Sequence, residues 1–370
     1  MTTTIPELNR TIAFEDRPRE AGSAELMQRY QQLLGSPRLS WTTHQKLIRQ
    51  LGQGGQGVVY LTERRGADGF TLPIALKVFS PSPYSTQHDY EQAMHRIAQV
   101  AAQVAQIQQD NLLDVHNFVD RDRIRIMTME WVDGYDLRRL LSNEALERMR
   151  QRVLPRRWEY LNRVVVTAGP SQPRVKPGVA MAIVRECLAA LAALHRVGIV
   201  HGDVKPANIM LKCTGNSKII DIGSAFEYHD PPAQRSCTPR YAAPEVLEGA
   251  ASTPTSDLAS LGYVLIEMLS GRPIFPDAQK RAELLHAKRM LPHQLHDFLP
   301  EEVTCNELLT GFCRGLIAAD PQRRFPSAEA ADLVQDGAAA FQRQLVLMNL
   351  AAEYDNEIRL WLSELGDLKS

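Results

Sequence analysis

The sequence has little of three things that would narrow its class: aromatic residues, cysteines and charge of one sign. Aromatic residues make up 6% of the chain, and its five cysteines are scattered, without metal-type spacing. Such a set argues against a disulfide framework and against zinc, and it favours a reducing, cytoplasmic compartment. Lys and Arg total 42 against 43 Asp and Glu, so no overall field attracts nucleic acid or a membrane surface.

Long hydrophobic runs are also scarce. The N-terminus, MTTTIPELNR, is polar, and no run approaches the roughly 18 apolar residues that a membrane helix needs. We therefore expect no membrane association. Apolar residues still make up 44% of the 370 positions, which is ordinary for a globular chain with a sizeable core.

The character of the sequence changes along the chain. Residues 1–45 form a polar arm that contains several prolines. Short β-branched runs after residue 46 predict an antiparallel sheet, and helical spacing at 86–107 predicts one helix beside it. Residues 142–178 are rich in Arg and Pro and predict an insertion with loop character. The remainder of the chain is mostly helical in pattern.

Two segments each leave two interpretations open. The basic insertion at 142–178 could bind an acidic partner, although a solvated, mobile loop is commoner. Residues 336–370 predict a C-terminal helical extension whose stretch IRLWLSEL could bind a partner or fold back on its own domain. Packing onto the parent domain is the commoner outcome for an apolar-faced tail.

Two motifs in the predicted sheet suit the binding of phosphate groups. Gly52, Gly54 and Gly57 have G-x-G-x-x-G spacing, and glycine lets backbone N–H groups approach a phosphate closely. A strand follows the last glycine where a dinucleotide-binding loop would open into a helix, so a lid over nucleotide phosphates is favoured. Lys77 lies in an apolar strand, where its ammonium is costly unless it meets an anion; a solvent-facing edge position is the alternative.

The strongest motif is HGDVKPANIML followed by KIIDIGSAF. Asp203 lies in a predicted loop between apolar strands, where it can orient a substrate hydroxyl and accept its proton. Lys205 can neutralise charge on a moving phosphoryl group. Asn208 and Asp221 offer the hard oxygen ligands that magnesium prefers. These residue types in this order predict phosphoryl transfer.

With these motifs, the chain resembles the eukaryotic-like (Hanks-type) serine/threonine protein kinases over about residues 47–335, and we expect a bacterial member. The residues that match the glycine-rich loop and the third-strand A-x-K motif are Gly52, Gly54, Gly57, Val59, Ala75 and Lys77. Those that match the catalytic loop and D-F-G are Asp203, Lys205, Asn208 and Asp221. The substrate loop, A-P-E, the buried helix aspartate and the arginine partner of A-P-E are matched by Thr238, Glu245, Asp257 and Arg324.

The resemblance also implies roles for residues around a hinge, MEWVDGYDL. Met129 would be the gatekeeper, Glu130 and Val132 would contact adenine through their backbone, and Asp136 would lie near the ribose. Lys205, two residues after Asp203, is similar to serine/threonine kinases and implies Ser or Thr acceptors.

The implied fold is α+β and bilobal. A kinase domain at 46–335 would comprise a small antiparallel β N-lobe with one main helix at about 46–130 and a mostly helical C-lobe at about 133–335. The implied cofactors are ATP and Mg²⁺, with Mn²⁺ as an alternative, and the implied partner is a protein substrate. Neither a nucleic-acid partner nor an oligomeric state is indicated.

The glutamate that pairs with the third-strand lysine in the family has no secure match. Glu91 follows Lys77 near the start of the predicted helix, but counting back from QDNLL puts the usual position near Val100, where Gln99 and Gln103 are the polar neighbours. Three alternatives follow. A long helix lets Glu91 reach Lys77, a glutamine replaces the glutamate, or the phosphates are held weakly.

Phosphorylation of the chain itself is a second open point. Gly202 replaces the loop arginine that in many relatives reads a phosphate on the activation loop, so such switching is less expected, although Ser236 is available there. The arm could be self-phosphorylated or could be a tail without a role; its threonines are Thr2, Thr3, Thr4 and Thr11.

Three functions from different classes remain. An active protein kinase explains the proton acceptor and both metal ligands together. A pseudokinase scaffold would bind ATP without turnover and is supported by the missing glutamate. A small-molecule kinase of the aminoglycoside or choline type shares the Asp and Asn chemistry but normally lacks the A-P-E segment and its arginine.

Overall fold

The computed structural model describes residues 12–13, 21–35, 38–40, 44–232, 236–347 and 354–366. In chain order, its first elements are β1 (Ile12–Ala13), α1 (Ala21–Gly35), β2 (Arg38–Ser40), β3 (His44–Gly54), β4 (Gly57–Arg65), β5 (Thr71–Phe79), α2 (Gln87–Val104), β6 (Val115–Arg121) and β7 (Ile124–Glu130). The strands β2 to β7 form one antiparallel sheet of six strands in the order β2-β3-β4-β5-β7-β6. The predicted antiparallel sheet with α2 beside it is confirmed, and a second helix, α1, also contributes buried residues to the core.

Sequence-local signals explain why α2 begins where it does. Thr86 precedes the helix, and its hydroxyl accepts a hydrogen bond from the Asp89 N–H at 3.0 Å, while the Asp89 carboxylate accepts one from the Thr86 N–H at 3.2 Å. This reciprocal capping box satisfies two N–H groups that the first helical turn leaves without partners. The apolar face of α2 packs into the core beside the sheet; its buried residues are Tyr90, Met94, Ile97, Val100, Ala101 and Val104.

The C-terminal part is mostly helical, with short strands near the cleft. Its elements from the hinge to the substrate loop are β8 (Gly134–Asp136), α3 (Leu137–Leu140), α4 (Asn143–Arg152), α5 (Pro155–Val164), β9 (Val166–Thr167), β10 (Arg174–Val175), α6 (Pro177–Arg196), β11 (Ile199–Val200), β12 (Ile209–Lys212), β13 (Ser217–Ile219), β14 (Phe226–Glu227) and β15 (Ser236–Cys237). The elements that follow are α7 (Pro244–Leu247), α8 (Pro254–Ser270), α9 (Arg281–Met290), α10 (Leu295–Phe298), α11 (Glu301–Thr304), α12 (Glu307–Leu316), α13 (Ala328–Leu333), α14 (Ala338–Leu347) and α15 (Tyr354–Leu365). The predicted bilobal α+β architecture is confirmed.

One helix, α6, is long and apolar enough to cross a membrane by length and composition alone. This corrects the expectation that no such run exists. Most of α6 is buried, however, and it packs against α8, α13 and α14. The same pattern is typical of the central helix of a helical core, which must be apolar on nearly every side.

The expectation of loop character at 142–178 is wrong, because α4, α5 and the β9–β10 hairpin occupy most of it. Ser142 caps α4 by accepting the Ala145 N–H at 3.2 Å, and Pro155 stands at the first turn of α5, where its missing N–H costs nothing. Met149 and Leu161 are fully buried. Few apolar residues per helix suffice here, since each helix buries only a narrow stripe.

The C-terminal helix α15 folds back on this region, as expected for an apolar-faced tail. Its buried residues are Tyr354, Ile358, Trp361, Leu362 and Leu365. Arg157 of α5 donates to Glu364 at 2.8 Å and pairs with Glu357 at 3.3 Å. The chain therefore supplies its own acidic partner to part of the basic segment.

Candidate active site

The loop that carries Asp203 lies between β11 and β12, and hydrogen bonds to the buried carboxylate of a helix residue hold it in place. Asp257 of α8 accepts the N–H groups of His201 and Gly202, each at 2.9 Å. The His195 ring nitrogen Nε2 lies 2.9 Å from the same carboxylate. The Asp257 side chain is only 1% exposed, so these hydrogen bonds form in a medium of low polarity, where they hold the loop firmly.

Asp203 is held from the substrate loop. The hydroxyl and the backbone N–H of Thr238 both donate to its Oδ1, at 2.7 and 3.1 Å. Lys205 Nζ lies 2.7 Å from Asp203 Oδ2 and 2.9 Å from the Thr238 hydroxyl oxygen. The structure thus brings Asp203 and Lys205 of the catalytic-loop motif together with Thr238 of the substrate loop, an arrangement in which the carboxylate can act on an acceptor hydroxyl.

Asn208 and Asp221 supply oxygen atoms at the same cleft. The Asn208 amide nitrogen donates to the backbone carbonyl of Asp203 at 2.8 Å, which leaves the amide oxygen as the atom able to face a cation. Among the residues with described placement there is no cluster of three or more His, Cys, Asp or Glu that could hold a metal. One amide and one carboxylate fit magnesium, which takes few protein ligands and completes its shell with phosphate oxygens and water.

The electrostatics of Asp221 keep it ionised. Burial would raise the pKa of its carboxyl group, but the neighbouring Lys77 ammonium and the Gly223 N–H, at 3.0 Å, lower that pKa from 3.8 to about 2. Its backbone has a φ of 67°, a left-handed conformation uncommon for a residue with a side chain. An ionised carboxylate in a fixed conformation is suited to bind a hard cation.

Lys77 is 3% exposed and is held from two sides of the cleft. Its ammonium forms an ion pair with Asp221 and donates to Gln56 Oε1 at 2.9 Å. Gln56, at the tip of the β3–β4 hairpin, donates in turn to the Ser224 hydroxyl at 2.7 Å. A Cβ atom at Gly223 would overlap the Gln56 oxygen, so a larger residue there would displace the flexible end of that side chain.

Glu91 is not the partner of Lys77, and that prediction is wrong. Its carboxylate accepts a hydrogen bond from Gln87 at 2.8 Å and lies 3.8 Å from Arg123 Nε, on a partly exposed face of α2. Gln103, the glutamine alternative, donates to Glu227. The face of α2 that turns inward is apolar, as the burial of Val100 shows, so the helix offers Lys77 no carboxylate within the described residues.

The glycine-rich segment forms a tight hairpin over the cleft. Gly54 pairs with Gly57, which leaves Gly55 and Gln56 as the two-residue turn between β3 and β4. A Cβ atom at Gly57 would overlap the Val78 carbonyl oxygen, and its φ of 144° also excludes other residues. A Cβ atom at Gly52 or Gly54 would meet no atom within 4 Å, so packing does not explain these glycines, and their role in approaching a phosphate stays a prediction.

The hinge residues surround the inner end of the cleft. Met129 lies opposite Ala75 in the β5–β7 pair, and Val59 lies opposite Lys77 in the β4–β5 pair. Met129, Ala75 and Val132 are buried. This places apolar side chains next to the lysine, as a flat, mostly apolar nucleobase requires.

Glu130 and Asp136 have partners within the protein. The Glu130 N–H donates to the Asp114 carbonyl at 3.0 Å, and its carboxylate pairs with Lys218. Asp136 caps α3 by accepting the Arg139 N–H at 3.1 Å, and burial raises the pKa of its carboxyl group. Their contacts to adenine and ribose stay predictions.

Glu245 and Arg324 meet as expected from the motif pair. The guanidinium donates to both carboxylate oxygens, each at 2.7 Å, and its NH1 also donates to the Thr255 carbonyl at 3.1 Å. The Arg324 side chain is fully buried. Such a bidentate pair fixes the end of the substrate loop against α8.

Sequence reasoning missed two residues of the site. One is Gln56, whose only signal is an amide at an x position of the glycine-rich loop. The other is Lys288 of α9, fully buried, which donates to the Arg240 carbonyl of the substrate loop at 2.7 Å and lies 3.9 Å from the centre of the Tyr263 ring. No sequence motif marks it, because its partners come from distant segments.

Comparison with known proteins finds similarity to protein kinases over most of the chain. A family model described as the protein kinase domain matches residues 45–335. Similar curated proteins include the serine/threonine-protein kinase PrkC of Bacillus subtilis, 27% identical over 303 residues that cover 80% of this chain and 40% of PrkC. PknD of Mycobacterium tuberculosis is 30% identical over 288 residues, covering 76% of this chain and 38% of PknD. PknD of Chlamydia abortus is 25% identical over 319 residues, covering 79% of this chain and 31% of that protein. The chain thus spans about two fifths or less of the length of these relatives.

Proposed function

Because this chain belongs to the protein kinase family, we propose that it transfers the γ-phosphoryl group of ATP to Ser or Thr hydroxyls of protein substrates. The observation that carries the proposal is the arrangement of Asp203, Lys205 and Thr238. A protein that only bound nucleotide would not need a carboxylate held at the substrate loop by a hydroxyl and an ammonium.

Each side chain has a chemical task in this reaction. Asp203 orients the acceptor hydroxyl and takes its proton as the new oxygen–phosphorus bond forms and the bond to the β-phosphate oxygen breaks. Lys205 stabilises negative charge on the moving group, and Lys77 positions the α- and β-phosphates. Mg²⁺, or Mn²⁺ in its place, would neutralise phosphate charge when bound, and Asn208 and Asp221 would hold it. ADP leaves with the β–γ bridging oxygen, which keeps the electron pair of its broken bond to the γ-phosphorus.

The alternatives are less consistent with the site. A pseudokinase scaffold drew its support from the missing glutamate, yet Lys77 has an anionic partner in Asp221 and a neutral one in Gln56. A small-molecule kinase does not need a substrate loop clamped by the Glu245–Arg324 pair.

The residues around Lys205 and the ion pairs of segment 142–178 indicate which partners the chain needs. Protein substrates with Ser or Thr acceptors suit the sequence around Lys205, which is similar to that of serine/threonine kinases. We add no external acidic partner for 142–178, because Arg157 pairs with Glu357 and Glu364 of α15. A cytoplasmic location completes the proposal, supported by the scattered cysteines.

The test is transfer of labelled γ-phosphate, with Mg²⁺, to a generic basic protein. Asp203→Ala should abolish labelling while circular dichroism stays unchanged, because the proton acceptor is lost but the buried anchors remain. Asp230→Ala, the same change at an exposed turn residue, should label as the parent chain does. Full labelling by Asp203→Ala would contradict the mechanism, and ATP binding without any labelling by the parent chain would favour the scaffold.

A further inference from the structure

One buried lysine differs from the others in the part of the chain that the structure describes. Lys288 of α9 is fully buried, and its Nζ atom contacts a backbone carbonyl and two aromatic rings rather than forming an ion pair with a carboxylate of the described residues. The buried Lys77 and Lys218 each form such an ion pair, with Asp221 and Glu130. The burial of Lys288 is therefore not explained by charge pairing.

Burial of this amine opposes folding. Loss of contact with water holds the pKa of the Lys288 ammonium well below its usual value of 10.5, which means that the surroundings disfavour the charged form. An apolar side chain of similar length at this position would avoid that cost. A residue that lowers the stability of a core is a candidate for a role in function, because functional sites are where stability is commonly given up.

The amine holds one backbone atom of the substrate loop. Its Nζ atom donates to the Arg240 carbonyl oxygen at 2.7 Å. The same nitrogen lies 3.9 Å from the centre of the Tyr263 ring in α8 and 4.5 Å from the centre of the Phe275 ring, contacts that favour a cation. The two rings fix the place of the nitrogen, and its hydrogen bond fixes the direction of the Arg240 carbonyl.

This carbonyl belongs to a turn that begins at Thr238. The Tyr241 N–H donates to the Thr238 carbonyl at 2.9 Å and closes the turn over residues 238–241. The Tyr241 hydroxyl donates to Glu267 of α8 at 2.8 Å. Helix α8 thus holds a side chain of the turn, and Lys288 of α9 holds its backbone.

The start of the same turn contacts the residues of the transfer chemistry. The Thr238 hydroxyl donates to Asp203 Oδ1 at 2.7 Å, and its oxygen lies 2.9 Å from Lys205 Nζ. Arg240 is only two residues further along the chain, a span of at most about 7.6 Å between Cα atoms. A polypeptide whose hydroxyl reaches Asp203 must therefore pass close to the turn that Lys288 holds.

We propose that Lys288 is a positioning residue, which holds the turn at 238–241 in the form that binds the polypeptide carrying the acceptor hydroxyl. The inference rests on the proposed kinase function and concerns recognition of the protein substrate. Because the amine contacts the substrate loop and not the phosphate-binding residues around Lys77, it acts on the affinity for protein and not on that for ATP.

Steady-state labelling of the generic basic protein by the full chain tests this separation. Lys288→Met keeps the length of the side chain and removes the donor, so KM for the protein should rise by about tenfold while KM for ATP and kcat change by less than about twofold. The urea midpoint of unfolding should stay at the parental value or rise, since relief of the buried amine offsets the lost hydrogen bond. Lys280→Met, the same change at an exposed position just before α9, should alter none of these quantities.

Limited trypsin cleavage tests the hold on the turn without any activity measurement. Trypsin cuts after arginine, and cleavage of folded protein requires local opening of the backbone. Cleavage between Arg240 and Tyr241, identified by mass spectrometry of the fragments, should be severalfold faster in Lys288→Met than in the parent chain. Lys280→Met should be cut there at the parental rate.

The outcomes that would overturn the inference differ from those that would overturn the proposed function. A parental KM for the protein in Lys288→Met, or parental cleavage after Arg240, would show that Lys288 does not position the turn. Failure of Lys288→Met to fold, or an equal rise of both KM values with a lower urea midpoint, would make Lys288 a structural residue and also overturn the inference. Absence of labelling by the parent chain would contradict the proposed function and, with it, this inference.

Discussion

The two sides of the cleft hold their charged residues by different means. On the C-terminal side, the loop of Asp203 rests on the buried carboxylate of Asp257, and the substrate loop ends at the buried Glu245–Arg324 pair. On the N-terminal side, Lys77 is held by a hairpin tip and by Asp221, which lies across the cleft.

The difference indicates that one half of the site is assembled by core packing and the other by contact between the halves. Buried polar networks are costly to break, because each freed partner is left without solvent. Lys77 itself is buried, but its partners Asp221 and Gln56 are partly exposed, so its contacts with them can be exchanged for ligand oxygens. We therefore expect Lys77 to pass from Gln56 and Asp221 to phosphate oxygens on nucleotide binding, without a rotation of α2.

The largest expected effect is a loss of stability on the C-terminal side of the cleft, where the charged residues are buried. Arg324→Met should lower the free energy of unfolding by about 3–5 kcal/mol, because Glu245 loses its partner in a buried setting. Urea unfolding followed by fluorescence would measure the change. Arg289→Met, which breaks the exposed pair with Glu248, should cost less than about 1 kcal/mol. Equal losses in the two variants would show that the buried pair has no special role.

Loss of the Lys77 charge on the N-terminal side of the cleft should affect stability less and should greatly lower the rate of phosphoryl transfer. Lys77→Met keeps the length of the side chain and removes its charge, so kcat/KM for phosphoryl transfer should fall by about 100-fold or more. Steady-state labelling of a protein substrate would measure it. A near-parental rate in this variant would imply that another cation positions the phosphates.

Lys77→Met should also change how the free energy of unfolding depends on pH. The pKa of Asp221 is lowered from 3.8 to about 2, so its ion pair stabilises the fold above pH 4 and loses that contribution as the pH falls towards 2. The difference in unfolding free energy between the parent chain and Lys77→Met should therefore narrow across this range. A constant difference would show that the stabilisation does not depend on ionised Asp221.

The smallest expected effect is at Glu91. Glu91→Gln should leave the rate of transfer unchanged and alter stability by less than about 1 kcal/mol, because the contacts of Glu91 with described residues are those to Gln87 and Arg123 at the surface. The labelling assay used for Lys77→Met serves as the measurement. A loss as large as that of Lys77→Met would restore Glu91 as the functional partner.

Prediction from the sequence succeeded where the chemistry is local. Asp203, Lys205 and Asn208 lie within six consecutive positions, so their order along the chain already implies that they share one loop. The sheet and α2 followed from periodicity and capping. It failed for Glu91, because the orientation of α2 depends on which face its apolar residues bury. It also failed for 142–178, because two short helices with narrow apolar stripes leave little periodicity to detect.

The sequence by itself determined the family and the two-lobed architecture, and it predicted the residues of the transfer chemistry, since these depend on motifs whose members are near one another or on regular apolar spacing. Only the tertiary structure decided the partners of Lys77, the anchoring of the substrate loop by Lys288, the docking of α15 on α5 and the pairing of β1 with β15. Each of these joins segments far apart in the chain, and such contacts are selected by the packing of the whole core, which no local pattern encodes.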